Sequence, residues 1–357
     1  MSRPDLSEFT NLTEAAELRD ALSRAQAQLR QAKAKTEQLV NAVHTAAKDA
    51  ILATGAPPNV TAPKRDTRKR GAEVAIWHLT DWQGAKVTTT YNSDVMRERI
   101  MRFCDRAERL TEIQRADHPV RDCVILFGGD MIEGLFNFPS QPFEIDATIF
   151  GQYAAVGQLE AEVVRRALAA YENVTVVSEW GNHGRIGSKR SAVPPADNFD
   201  RMTYHLARAW LTGLDGKIHP RLTWEDSEDD VRPFAVGNYR ALLIHADEVG
   251  RNGFASPQTI QQHIARWQSG AMDFQFTDVY SGHFHEHEER ALPNGLGSWW
   301  RTGSPESDNR YAGISMASSA RPSQRLNFVD LGSAWARMAA GNPEGCEGSC
   351  QSSIGPS

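Results

Sequence analysis

Cysteine is scarce in this chain, with four residues in 357: Cys104, Cys123, Cys346 and Cys350. So few thiols exclude a disulfide-stapled miniprotein, and the first two lie in apolar segments, which fits a protein kept in a reducing cytoplasm. Cys346 and Cys350 sit in a Gly/Ser-rich tail with no two further ligands nearby, so a zinc site is not expected there. No run of about 18 apolar residues occurs, so neither a transmembrane helix nor a membrane partner is expected. The opening MSRPDLSEFT lacks the apolar centre of a secretory signal. What is present is ordinary globular material, 40% hydrophobic and 24% charged residues, enough for a sizeable core and incompatible with a wholly disordered chain.

The net charge of −6 is unevenly spread. Residues 1–70 carry 12 Lys/Arg against 8 Asp/Glu, and the remainder carries 27 against 37. A mildly basic front therefore precedes an acidic body. The front shows a heptad stripe: Leu18, Leu22, Ala25, Leu29, Ala32, Thr36, Leu39, Val43, Ala46 and Ala50 follow one another at spacings of four and three. This is the a/d seam of a coiled coil, and homo-oligomerisation through 18–50 is preferred over a long helix lying along its own body. Asn11 and Glu14 resemble a capping box, and Gly55 with Pro57–Pro58 ends the helix. Residues 54–71 then read as an extended, mobile linker whose Lys64, Arg65, Arg68, Lys69 and Arg70 can contact a phosphate backbone. The expected organisation is a coiled-coil helix at 1–53, this linker, a catalytic-type body at 72–335 and a disordered tail at 336–357.

From Glu73 onward, short apolar runs alternate with helical patterns near 94–113, 148–171 and 197–212. This predicts a layered α/β fold, with further strands near 298–302 and 325–330. The apolar runs end in polar residues: Asp81-Trp82-Gln83, Gly128-Gly129-Asp130, Gly181-Asn182-His183, His245-Ala246-Asp247 and Gly282-His283-Phe284-His285. Sites in open α/β sheets form at the carboxyl ends of strands, so these termini are expected to converge. Carboxylate, amide oxygen and imidazole without thiolate suit Mn, Fe, Zn or Ni. His78, His118, His205, His219, His263 and His287 lie outside the motifs and are expected to be structural or superficial.

Taken together, the motifs resemble those of the calcineurin-like metallophosphoesterase superfamily, whose ordered pattern is DxH, GD with a following acid, GNHD/E, H and GHxH. Here they read DWQ, GGDMIEG, GNHGR, IHAD and GHFH across roughly residues 73–305. The resemblance implies an αββα sandwich, two divalent metal ions with Mn favoured, and a bridging hydroxide as nucleophile. It implies that Asp81 and His285 bind the first metal and that Asp130 bridges. Asn182, His245 and His283 would bind the second, and His183 would contact substrate phosphate and protonate the leaving oxygen. Two departures stand out. Gln83 occupies the position of the usual histidine ligand, which weakens the first metal site. Gly184 replaces the usual acid, while Arg185 offers a fork for phosphate. The basic linker, the coiled coil and the aromatics Trp82, Phe136, Phe138, Trp180 and Phe284 favour a phosphodiesterase on DNA or RNA, similar to the repair-nuclease branch of bacteria and phages. A phosphomonoesterase acting on nucleotides and a metal-bound assembly protein are the alternatives.

Overall fold

The computed structural model describes residues 60–68, 71–135, 137–187, 194, 196–212, 216–225, 227–249, 255–293, 295, 297–308, 321–332 and 351–354, with scattered positions between 19 and 45. Strands alternate side chains between two faces, and here both faces are buried. Strand β1 (Glu73–Leu79) shows why. Ala75, Trp77 and Leu79 point into a core shared with the helices. Val74 and Ile76 point the other way, into a core shared with a second sheet. The motif-bearing strands are therefore apolar throughout, as a sheet covered on both sides requires.

The first sheet contains β1, β2 (Val120–Gly128), β3 (Asn173–Glu179) and β4 (Leu222–Trp224), all parallel. Helices α1 (Ser93–Gln114), α2 (Ile149–Ala170) and α3 (Phe199–Trp210) contribute to its outer core. Each begins at a side-chain cap: Asn92 accepts from Val95 N, Thr148 from Gly151 N and Asn198 from Asp200 N. The second sheet has the order β5 (Arg232–Val236), β6 (Tyr239–Ile244), β7 (Asp278–Ser281), β9 (Ser298–Arg301), β8 (Glu288–Ala291). Leu243, Tyr280 and Trp300 face the first sheet, while Leu242, Ile244, Val279 and Trp299 pack with Ile260 and Ile264 of α4 (Pro257–Arg266). The layers are helix, sheet, sheet, helix, as the αββα reading expects.

Some features depart from the sequence reading. Helix α4 was not expected, because only two apolar positions recur in a polar stretch. Its signal is Ser256 capping Thr259 N, followed by Pro257 in the first turn. Within the tail expected to be disordered, β11 (Gln351–Ile354) pairs antiparallel with β10 (Gln324–Asp330), whose other edge lies on β1. Pairing satisfies backbone groups that an open edge would expose. Over its described part the linker lies against the body. Asp66 N donates to Glu172 Oε1 at 2.7 Å, Arg68 donates to Asp66 Oδ2 at 2.7 Å and to Arg115 O at 2.8 Å, and Val60 packs on the helix-side core. Lys64 and Arg65 are exposed, while Lys69 and Arg70 lie outside the described residues. The described positions between 19 and 45 are helical and exposed, Leu22 among them, but the heptad stripe as a whole lies outside the described residues. Among the described residues, no helix is long and apolar enough to cross a membrane.

Candidate metal centre

Strands β1, β2 and β3 run parallel, as do β6 and β7, and the residues just past their carboxyl ends meet at one place. The chain turns sharply there. Asp81, Gln83, Asp130, His283 and His285 all adopt left-handed backbone conformations, with φ of 53°, 44°, 52°, 70° and 55°. Each such non-glycine residue costs on the order of 1–2 kcal/mol, so surrounding bonds must hold it. Asp81 N donates to Gly129 O and Gln83 N to Asp130 O, both at 2.9 Å, and Asp130 N donates to Asp200 Oδ2 at 2.8 Å. Gly181 is needed for another reason, because a Cβ there would lie 2.1 Å from Asp130 Oδ1.

Ligand atoms of Asp130, His245 and His283 all lie within 4.8 Å of one another. His245 Nδ1 is 2.7 Å from Gly128 O, so this nitrogen carries a proton and donates to that carbonyl. The arrangement aims Nε2 at Asp130 Oδ2, 3.1 Å away. Asn182 Oδ1 is buried without a hydrogen-bond partner. Asn182 lies between Gly181, which packs against Asp130, and His183, whose N–H donates to Asp130 Oδ1, and a buried amide oxygen without a partner suits a divalent cation because such burial is otherwise costly. Asp81 lies on the other side of the centre. Its carboxylate accepts from His283 N at 3.0 and 3.1 Å and sits 3.4 Å from His285 Nε2. Gln83 is adjacent, with Nε2 3.0 Å from His285 Nε2, but its Oε1 accepts from Lys86 Nζ at 3.0 Å instead of facing the centre.

His183 N donates to Asp130 Oδ1 at 2.7 Å, and the ring is tethered through Nδ1, 3.1 Å from both Glu133 Oε2 and Glu133 O. Its Nε2 lies 4.0 Å from Asp130 Oδ2. Glu133 is buried and orients the His183 ring. An acid at 184 would not fit as the chain stands, since a Cβ there would lie 2.2 Å from Asn198 Oδ1. Arg185 is paired with Asp247, so its fork is at least partly engaged. Of the aromatics, Trp82 and Trp180 are core residues and Phe284 packs on the outer core of the second sheet. Phe138 is 44% exposed, with its ring 5.0 Å from that of His183, and Phe136 lies outside the described residues. Lys86, Glu306 and Asp200 were not anticipated as site residues. Lys86 had a faint signal in its i+3 spacing from Gln83.

Burial disfavours charge on all the centre's histidines, but carboxylates override it at most of them. Glu133 and Asp130 raise His183 to about 9, and Asp81 and Glu306 raise His285 to about 10. Asp130 holds His245 well above its ordinary value, whereas burial and His245 push His283 down to about 4. In the metal-free protein these raised histidines stabilise the fold fully below their unfolded pKa of about 6.5. That contribution is lost as pH rises through about 9 and about 10. Metal and proton compete for His245. Mn²⁺ binding is therefore expected to release protons and to weaken as pH falls from 8 to 6. Titration calorimetry in buffers of different ionisation enthalpy checks this, and binding without proton release would contradict it.

Neither a protein-family model nor a curated protein sequence matches the chain. Among solved structures, Vps29 from Cryptosporidium parvum aligns with 14% identity over 72% of this chain and 86% of that one, at a TM-score of 0.32. An uncharacterized protein from Streptococcus pneumoniae, described as a predicted phosphoesterase, aligns with 10% identity over 72% and 84%, at 0.30. A putative 5'-nucleotidase from Staphylococcus aureus aligns with 12% identity over 72% and 51%, at 0.31. Similarity this low leaves the functional reading to the site itself.

Proposed function

We propose that this chain is a calcineurin-like metallophosphoesterase that cleaves phosphodiesters bearing nucleotides, DNA or RNA included. The observation that supports phosphoester chemistry is the clustering of Asp130, His245 and His283, with the orphaned Asn182 Oδ1 next in the chain to a carboxylate-backed His183. Asp130, Asn182, His245 and His283 would hold a divalent ion, with Mn favoured and Fe, Zn or Ni also suited to the donors. A divalent ion there would lower the pKa of a water and neutralise phosphoryl oxygens.

The chain's own residues supply the proton and the orientation. Glu133 holds Nδ1 of the His183 ring, which leaves Nε2 to give its proton to the departing oxygen as the P–O bond breaks. In the metal-free protein Glu133 and Asp130 raise this ring to about 9 against the effect of burial, so it is protonated at neutral pH. Phe138 supports the nucleotide reading, because an exposed ring beside the proton donor is a platform on which a base stacks. The Arg185–Asp247 pair supports a diester over a monoester, since it offsets positive charge that a terminal phosphate dianion would need. The exposed Lys64 and Arg65 of the docked linker add contacts for a longer nucleic acid. A cytoplasmic location and self-association through 18–50 belong to the same proposal.

The test compares bis-p-nitrophenyl phosphate with p-nitrophenyl phosphate, then dinucleotide substrates with and without Phe138→Ala. Preference for the diester is expected, with KM for the dinucleotide rising about 5–100-fold in the variant, as for the loss of one stacked base. Preference for the monoester would move the substrate class to nucleotides and other small phosphates.

A further inference from the structure

The half of the centre around Asp81 is built differently from the half around His245. Gln83 gives its amide oxygen to Lys86 Nζ at 3.0 Å, and its amide nitrogen lies 3.0 Å from His285 Nε2, which accepts from it only in the neutral ring. An ammonium only donates, so Lys86 fixes this orientation; turning the amide over would set its NH₂ against the ammonium hydrogens. Lys86 is itself well anchored. Its side chain is 10% exposed, with Nζ 3.2 Å from Glu306 Oε1 and 3.9 Å from Glu133 Oε2. Its backbone N–H closes a turn onto Gln83 O at 2.9 Å. Glu306 Oε2 lies 3.2 Å from His285 Nδ1, so His285 is held between Glu306 and Asp81. A dication entering here would find the Gln83 oxygen already committed to Lys86 Nζ and one Glu306 oxygen engaged by the same ammonium, so the half offers fewer free ligand atoms. In the other half, by contrast, Asn182 Oδ1 is buried with no hydrogen-bond partner.

We propose that this protein binds a single divalent ion per chain, in the half formed by Asp130, Asn182, His245 and His283. Lys86 keeps the Asp81–Gln83–His285 half closed to a second ion by engaging the Gln83 oxygen and Glu306. The inference rests on the metallophosphoesterase reading and departs from the two ions that the sequence resemblance implies. It makes Lys86 the residue that determines metal stoichiometry.

The test strips the full chain with chelator, loads it with Mn²⁺, removes free ion by desalting and counts Mn per chain by elemental analysis. Electron paramagnetic resonance then distinguishes an isolated ion from a coupled pair. One isolated ion is expected in the wild type, retained in Gln83→Ala and bound at least 10-fold more weakly in Asn182→Ala. The double variant Lys86→Ala/Gln83→His is expected to take up a second, coupled ion. Two ions in the wild type, one of them lost in Gln83→Ala, would overturn the proposal and leave the metallophosphoesterase reading standing. No ion in folded wild-type protein would overturn both. A folded double variant that still holds one ion would overturn the role of Lys86; if that variant fails to fold, the wild-type and Gln83→Ala counts decide.

Discussion

His183→Ala is expected to lower kcat by about 10²–10⁴-fold on a diester with an alkoxide leaving group, and far less on a p-nitrophenyl ester, whose leaving group departs without a proton. The difference follows from the ring's setting. Glu133 anchors Nδ1 at 3.1 Å, and in the metal-free protein the imidazole is charged up to a pH of about 9. A ring that only bound phosphate would cost both substrates alike. Parallel measurement of the two leaving groups therefore separates proton donation from binding, and equal losses would contradict the assignment. Glu133→Gln is expected to lower the pKa of His183 by removing the charge that raises it. The basic limb of the pH–rate profile for the alkoxide substrate then moves to lower pH.

Asp200→Ala is expected to destabilise the fold by about 1–3 kcal/mol, the cost typical of leaving a buried hydrogen-bonding group unsatisfied. The Asp200 carboxylate accepts from four backbone donors: Asp130 N at 2.8 Å, Met131 N at 3.0 Å, Ile132 N at 3.2 Å and Gly181 N at 2.9 Å. It thereby fastens the loop after β2 to the loop after β3 and holds Asp130 in its left-handed conformation. Removing it leaves buried N–H groups unsatisfied and relaxes the loop that aims Asp130. Mn²⁺ affinity is expected to fall by about 10–100-fold, as is usual when the support behind a ligand is lost. Denaturant unfolding and metal titration of the variant measure the two effects. A variant with unchanged stability and affinity would show that the loops hold themselves.

The layered fold and the motif residues were legible because both are local in sequence. Strands buried on two faces are apolar runs, and the candidate ligands follow their carboxyl ends, so Asp81, Asp130, Asn182, His245, His283 and His285 stood out by position as well as by type. The residues that orient them were harder to see, because their roles arise from contacts across long separations. Asp200 reads as an ordinary acid in the first turn of α3 until it meets Asp130, 70 residues earlier in the chain. Glu306 lies in a connection after β9 and gains meaning only against His285 and Lys86. Gln83 was recognisable as an unusual residue in a ligand position. Its orientation was not, since that depends on an ammonium held by carboxylates from two other segments. Helix α4 was obscured by sparse apolar periodicity, and Arg185 read as a free fork because its partner Asp247 comes from the loop after β6.

The most direct test of metal-dependent phosphoester hydrolysis at this centre is turnover of bis-p-nitrophenyl phosphate by chelator-treated protein as Mn²⁺ is titrated back, beside Asp130→Asn folded to the same circular dichroism. Turnover that appears with the ion, saturates with its binding and is lost in the variant is the predicted result. Folded protein that binds Mn²⁺, Ni²⁺, Zn²⁺ or Mg²⁺ yet hydrolyses nothing, or a variant that turns over as well as the wild type, would contradict it.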